Sequence, residues 1–205
     1  RDWSSDVCSS DLTFRRAYAK RFLSRVDELI SDNFTYIRIN MQKLFVTFFY
    51  SGLLRPAPGT WGSLAGAIVG VGIYYYIGLE TLFMASILLF LASISIIDSY
   101  EAKSGTHDDS SIVIDEVAGV WLAISIALSS WQQLGVDKFG WISVVLAFVF
   151  FRILDITKPS IIGRLDRNLK GGLGVMSDDM VAGLFAGLIA AVCATVWVKF
   201  GIPVW

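Results

Sequence analysis

Histidine is almost missing from this 205-residue chain, in which His107 is the single one. Chemistry that needs a pair of histidines, one as nucleophile and one as acid, is thereby excluded. Cysteine is nearly as scarce. Cys8 and Cys193 stand in unrelated contexts with no metal-site or redox spacing, so a disulfide framework is not expected. Charge is sparse too, at 17% of residues, against about 25% in ordinary soluble domains. The net charge of -1 leaves no basic footprint for nucleic acid. What the chain has instead is apolar sequence, at 55% of its residues.

That sequence is gathered in runs. Residues 61–79, 81–97, 117–136 and 180–198 are uncharged, and a shorter run, 139–151, ends at Arg152. A helix needs roughly 20 apolar residues to cross a bilayer, so these runs predict an all-α, polytopic membrane bundle of about five membrane-embedded helices. The competing reading is a soluble bundle of very apolar helices. Small residues recur at helix-packing spacing, with Gly62, Gly66 and Gly70 in the first run and Gly183 and Gly187 in the last. Residues 44–54 are apolar but too short to span, and are expected to be interfacial or re-entrant.

Five spans sort the polar segments by side. Lys43, Arg55, Lys103, Arg152, Lys158, Arg164, Arg167 and Lys170 fall on one side, and Lys138 and Lys199 on the other. The positive-inside rule makes the first side cytoplasmic, and most of the acidic residues share it. Residues 1–40 read as an N-terminal tail ahead of a membrane domain over 41–205. Residues 1–12 lack the basic-then-apolar layout of a signal peptide and resemble an assembly scar. Residues 13–40 offer a basic amphipathic helix, with Arg15, Arg16, Lys20, Arg21 and Arg25 available to anionic lipid, or simply a solvated tail.

Three polar clusters are expected to share the cytoplasmic face. Pro58-Gly59-Thr60-Trp61-Gly62-Ser63 opens the first span, where free amides and the positive end of the helix dipole suit a phosphate; simple capping explains Thr60 equally well. His107-Asp108-Asp109 precedes Ile114-Asp115-Glu116 at the mouth of the third span. Acids are favoured at a helix N-terminus, yet so many beside a bilayer repel unless a cation holds them, and hard carboxylate oxygens are what magnesium takes. The third cluster runs from Phe151-Arg152 through Asp155 to Lys158-Pro159, then Asp166-Arg167, Gly171-Gly172 and Asp178-Asp179. Arg152, Asp155 and Lys158 share a helix face, and a local salt-bridge ladder would account for them. Against that, such groups at membrane depth are costly and usually functional. Asp178-Asp179 open the last span as Asp115-Glu116 open the third, which would set two acidic pairs around one metal.

Taken in order, these motifs resemble phosphatidylglycerophosphatase A from about residue 41 to 195. The resemblance implies a magnesium-dependent enzyme of the bacterial inner membrane. Such an enzyme converts phosphatidylglycerophosphate to phosphatidylglycerol in phospholipid synthesis, with the bilayer and a phospholipid as its partners and no nucleic acid. The residues it carries over are Asp108, Asp115, Glu116, Asp155, Lys158, Asp166, Arg167, Asp178 and Asp179.

Neither cysteine has the following arginine of a cysteine-based phosphatase, and adjacent acidic pairs are not the Asp-x-Asp of a haloacid-type nucleophile. Metal-assisted hydrolysis remains, with Asp115, Glu116, Asp178 and Asp179 as Mg²⁺ ligands. Lys158, Arg167 and Arg152 would neutralise phosphoryl oxygens, and Thr60, Ser63, Gly171 and Gly172 would help seat the phosphate. Asp155 or Asp108 would serve as base or nucleophile, a choice the sequence leaves open. Two other classes compete. A CDP-alcohol phosphatidyltransferase would need an Asp-Gly and Ala-Arg order that is missing here. A transporter would place charges at mid-span, whereas here they gather at span ends.

Overall fold

The computed structural model describes residues 4–104, 111–135, 140–158 and 172–200. They form six α-helices and one short 3₁₀ turn, and no strand occurs among the described residues. The helices are α1 (Ser4–Val46), α2 (Pro58–Tyr76), α3 (Leu79–Ser104), α4 (Ile114–Gln133), α5 (Trp141–Thr157) and α6 (Gly172–Lys199), with the 3₁₀ turn at Ser51–Leu53. Residues 1–41 form one unit and residues 42–205 another. The first unit is helical throughout its described length, and Phe22, Leu29, Phe34 and Ile37 are exposed on it.

In the second unit α4 is the central helix, packed against α2, α3, α5 and α6. Its residues Val117, Ala118, Val120, Ile124, Ala127 and Leu128 are fully buried. A helix that is apolar all round belongs inside a bundle. Among the described residues, three helices are long and apolar enough to cross a membrane: α3 over Leu79–Tyr100, α4, and α6. Of the other two expected spans, α5 has 17 residues, short of the roughly 20 that a span takes. Glycines and three terminal tyrosines dilute the apolar character of α2.

Small residues bring the helices together. At Gly119 of α4 an added Cβ would lie 2.6 Å from the carbonyl oxygen of Asp179 on α6. Gly183, one turn further along α6, meets the backbone of Gly119 in return. Between apolar helices in lipid, this close approach replaces the hydrophobic drive that water would supply. Polar bonds to backbone carbonyls add to it. Trp121 Nε1 donates to Gly66 O at 2.7 Å and Ser86 Oγ to Ala118 O at 2.9 Å. Gly183→Val should therefore force α4 and α6 apart and cost about 1–3 kcal/mol. A lowered thermal midpoint in detergent is the readout, and an unchanged midpoint would contradict the close contact.

Candidate functional site

The site gathers at the end of the bundle where α2 and α4 begin and α5 finishes. Asp115 and Glu116 lie in the first turn of α4, where the dipole favours acids. The Val113 N–H, just before that turn, donates to Val46 O at 3.0 Å and ties it down. Glu116 turns its carboxylate over Gly59, where a Cβ would collide with it, and accepts a hydrogen bond from Ser63 Oγ.

Arg152, near the end of α5, binds this corner together. Its Nη1 donates to Glu116 Oε2 at 3.0 Å, to Asp155 Oδ2 at 2.7 Å and to Ser63 Oγ at 3.1 Å. Its Nη2 reaches Thr60 Oγ1 at 3.4 Å. Thus Thr60 and Ser63, from the first sequence cluster, meet Glu116 from the second and Arg152 from the third. The planar guanidinium suits several oxygens at once, which a lysine could not match.

Lys158 caps the C-terminus of α5 in the left-handed region, at φ 38° and ψ 63°. From there its Nζ pairs with Asp178 Oδ2 at 2.8 Å. A non-glycine residue in that conformation is uncommon, and such strain collects at functional sites. Asp178 and Asp179 lie in the second turn of α6, and both are buried. Asp115, Asp155, Asp178 and Glu116 all act electrostatically on Asp179, so the two acidic pairs are neighbours.

The carboxylates are not matched one for one by cations among the described residues. Among the described residues, Arg152 serves Glu116 and Asp155 while Lys158 serves Asp178, and no basic side chain forms an ion pair with Asp115 or Asp179. Asp115 Oδ1 is buried and has no hydrogen-bond partner among the described residues. Buried polar atoms are normally satisfied, so an orphaned carboxylate oxygen among other acids invites a cation. The donor chemistry fits a hard divalent ion. The side chains are not closed around one: no group of three metal-ligating residues among those described converges on a common point.

Gly172 takes a different role from the one expected. Its N–H donates to Asp98 Oδ1 at 2.6 Å, and its Cα packs on the Ile94 backbone of α3, which leaves no room for a side chain. The amide is thus engaged by a carboxylate from the end of α3. Sequence reasoning passed over Asp98, although it is the first charge after the uncharged run 81–97. Asp108, Asp166, Arg167 and Gly171, with His107 and Asp109, lie outside the described residues.

Gly59 gives a direct check on this geometry. A methyl group there would push the Glu116 carboxylate from its bonds to Ser63 and Arg152. Gly59→Ala should lower turnover about tenfold, or about 1.4 kcal/mol in the barrier. Wild-type turnover in that variant would show that Glu116 need not be held there.

Fold and site together define a protein, all-helical among its described residues, with a partly buried acidic and basic cluster at one end of helices long enough to cross a membrane. Residues 44–194 match the family model described as Phosphatidylglycerophosphatase A. The chain belongs to that family, and with it to the phosphatases. A phosphatidylglycerophosphatase A of Haemophilus influenzae is 39% identical over 74% of this chain and 87% of its own length. One of Escherichia coli is 34% identical over 73% of the chain and 82% of its length. A putative phosphatidylinositol-3-phosphatase of Bacteroides thetaiotaomicron is 34% identical over 73% of the chain and 91% of its length. No solved structure matches the chain.

Proposed function

We propose that this protein is a magnesium-dependent phosphatase of phospholipid biosynthesis that hydrolyses phosphatidylglycerophosphate to phosphatidylglycerol and phosphate. The observation that carries the reading is the meeting of Asp115 and Glu116 with Asp178 and Asp179, beside Arg152 and Lys158, at one end of the bundle. The names of the Haemophilus and Escherichia relatives supply the substrate.

Asp115, Glu116, Asp178 and Asp179 would hold Mg²⁺, with Asp115 Oδ1 the donor that lacks any other partner among the described residues. When bound, the ion supplies Lewis-acid polarisation of the phosphoryl group and a more acidic water. Arg152 and Lys158 would neutralise charge that builds on the phosphoryl oxygens, a role that Arg167 would share. The hydroxyls of Thr60 and Ser63, beside the guanidinium, orient the phosphate. Asp155, fixed by Arg152 at 2.7 Å, or Asp108 takes the proton from the attacking water.

A cysteine route finds no support. Cys193 lies fourteen residues along α6 from Asp179, a helical rise of about 21 Å.

In our reading α2 and α5 join the three longer helices as membrane-embedded elements. The site then faces the cytoplasm from the bacterial inner membrane, and the diacylglycerol stays in the bilayer. The Bacteroides relative supports a second substrate reading, a 3-phosphoinositide. Phosphate release from both lipids by the purified protein in detergent separates the two. Faster turnover of phosphatidylglycerophosphate is expected; preference for the phosphoinositide would move the assignment, and dependence on a cytidine nucleotide would revive a transferase.

A further inference from the structure

Between α1 and α2 the chain turns through residues 47–54, and three successive residues there are left-handed. Phe48, Phe49 and Tyr50 have φ of 43°, 55° and 65°. L-residues visit this region singly and at a steric cost, and three aromatics in a row persist only where the surroundings over-determine them. The surroundings do so. Tyr50 N–H donates to Thr47 Oγ1 at 3.2 Å, Gly52 N–H to Thr47 O at 3.1 Å and Ser51 Oγ to Phe48 O at 2.8 Å. Thr47 is buried, and Phe48 turns inward, its ring edge-on to Trp121 at 6.4 Å. Gly52 lies under the Ser111 carbonyl and the Val113 side chain, where no Cβ fits.

The product of this strain is an apolar hook. Phe49 is 75% exposed, and Tyr50, Leu53 and Leu54 are exposed beside it. Lys43 precedes the turn by one helical turn and Arg55 follows it, and no acidic residue occurs from Lys43 to Leu79. Apolar and aromatic side chains flanked by basic ones fit an anionic lipid surface. The hook also belongs to the site end of the bundle, because Val113 N–H, beside Asp115 and Glu116, bonds to Val46 O, and α2 begins just after Leu54.

We infer that Phe49, Tyr50, Leu53 and Leu54 form an interfacial anchor that inserts just below the headgroups of an anionic phospholipid leaflet and seats the acidic cluster at that depth. The anchor rests on the membrane reading given above. Its physical test needs no turnover: a nitroxide on Phe49→Cys, in a chain with both native cysteines replaced by serine, is placed in vesicles of phosphatidylglycerol and phosphatidylcholine. Relaxation by oxygen should exceed relaxation by a water-soluble nickel chelate. The reverse order would overturn the anchor, and so would spin–spin broadening between copies, because a second chain would then cover the hook.

Activity gives the second arm. In protein reconstituted into vesicles, F49S/Y50S should raise the surface fraction of lipid phosphate needed for half-maximal rate about tenfold, the equivalent of about 1.4 kcal/mol. The maximal rate on vesicles and the rate on a dispersed short-chain lipid phosphate should stay unchanged, and F49L/Y50L should restore the wild-type surface dependence. An unchanged surface dependence in F49S/Y50S would overturn the proposal. A wild-type protein with no turnover on any lipid phosphate would instead sink the phosphatase reading, while the nitroxide depth would still decide the anchor.

Discussion

Replacing Asp115 or Asp179 by Asn is expected to lower phosphate release by at least about 10³-fold, which is about 4 kcal/mol of transition-state stabilisation. The substitution is nearly isosteric and removes one charge from a group of acids in which Asp115, Asp178 and Asp179 act on one another. Relieving that repulsion should leave the thermal midpoint level or slightly raised, since no basic residue among those described pairs with either acid. The two measurements belong together. Lost turnover at an intact midpoint identifies a functional carboxylate, whereas lost turnover with a collapsed midpoint would make Asp115 and Asp179 structural. Full turnover would remove both from the site.

Arg152→Ala is the second large effect, and its first expression is in stability. The guanidinium is shared by Glu116, Asp155, Ser63 and Thr60. Arg152, Glu116 and Asp155 side chains are each only about 15% exposed, so solvent screens their attraction weakly. Removing the cation strands two carboxylates, which typically costs about 3–5 kcal/mol for a buried pair. Arg152→Lys keeps the charge but loses the fork, and should recover only part of the loss. Adding Glu116→Gln to Arg152→Ala should soften the damage, because one stranded charge disappears. A thermal-melt cycle over wild type, the two single variants and the double variant measures that coupling. Strict additivity would mean that Arg152 and Glu116 do not interact.

Much of the site could be read before the fold was known. The acids at 115–116 and 178–179 each stood near the start of an uncharged run, and a charge at the edge of an apolar stretch needs a partner or a function. The spacing of Arg152, Asp155 and Lys158 placed them on one face, and the Arg152–Asp155 bond bears out the i,i+3 register. Partners from distant segments were not legible. Nothing in local spacing announces that Ser63 meets Glu116, or that Gly59 is small because a carboxylate lies on it. Gly172 shows the limit of reading glycine as a phosphate cradle. Close backbone approach was the right physical reason, but what approaches is the α3 backbone, with Asp98 taking the amide. Among the helices, α5 ends one turn past Arg152, so its apolar run is shorter than a full span. The left-handed turn at 48–50 was also hidden, because three aromatics carry no turn chemistry and only the packing around Thr47 and Gly52 imposes it.

The most direct measurement is magnesium titration of protein stripped with a chelator, following phosphate release from phosphatidylglycerophosphate in detergent. Two carboxylate pairs brought together, with fewer cations than carboxylates among the described residues, should give no release in chelator and full release once magnesium is restored. Undiminished release with every divalent ion removed would contradict the idea that these four acids act by gripping a metal.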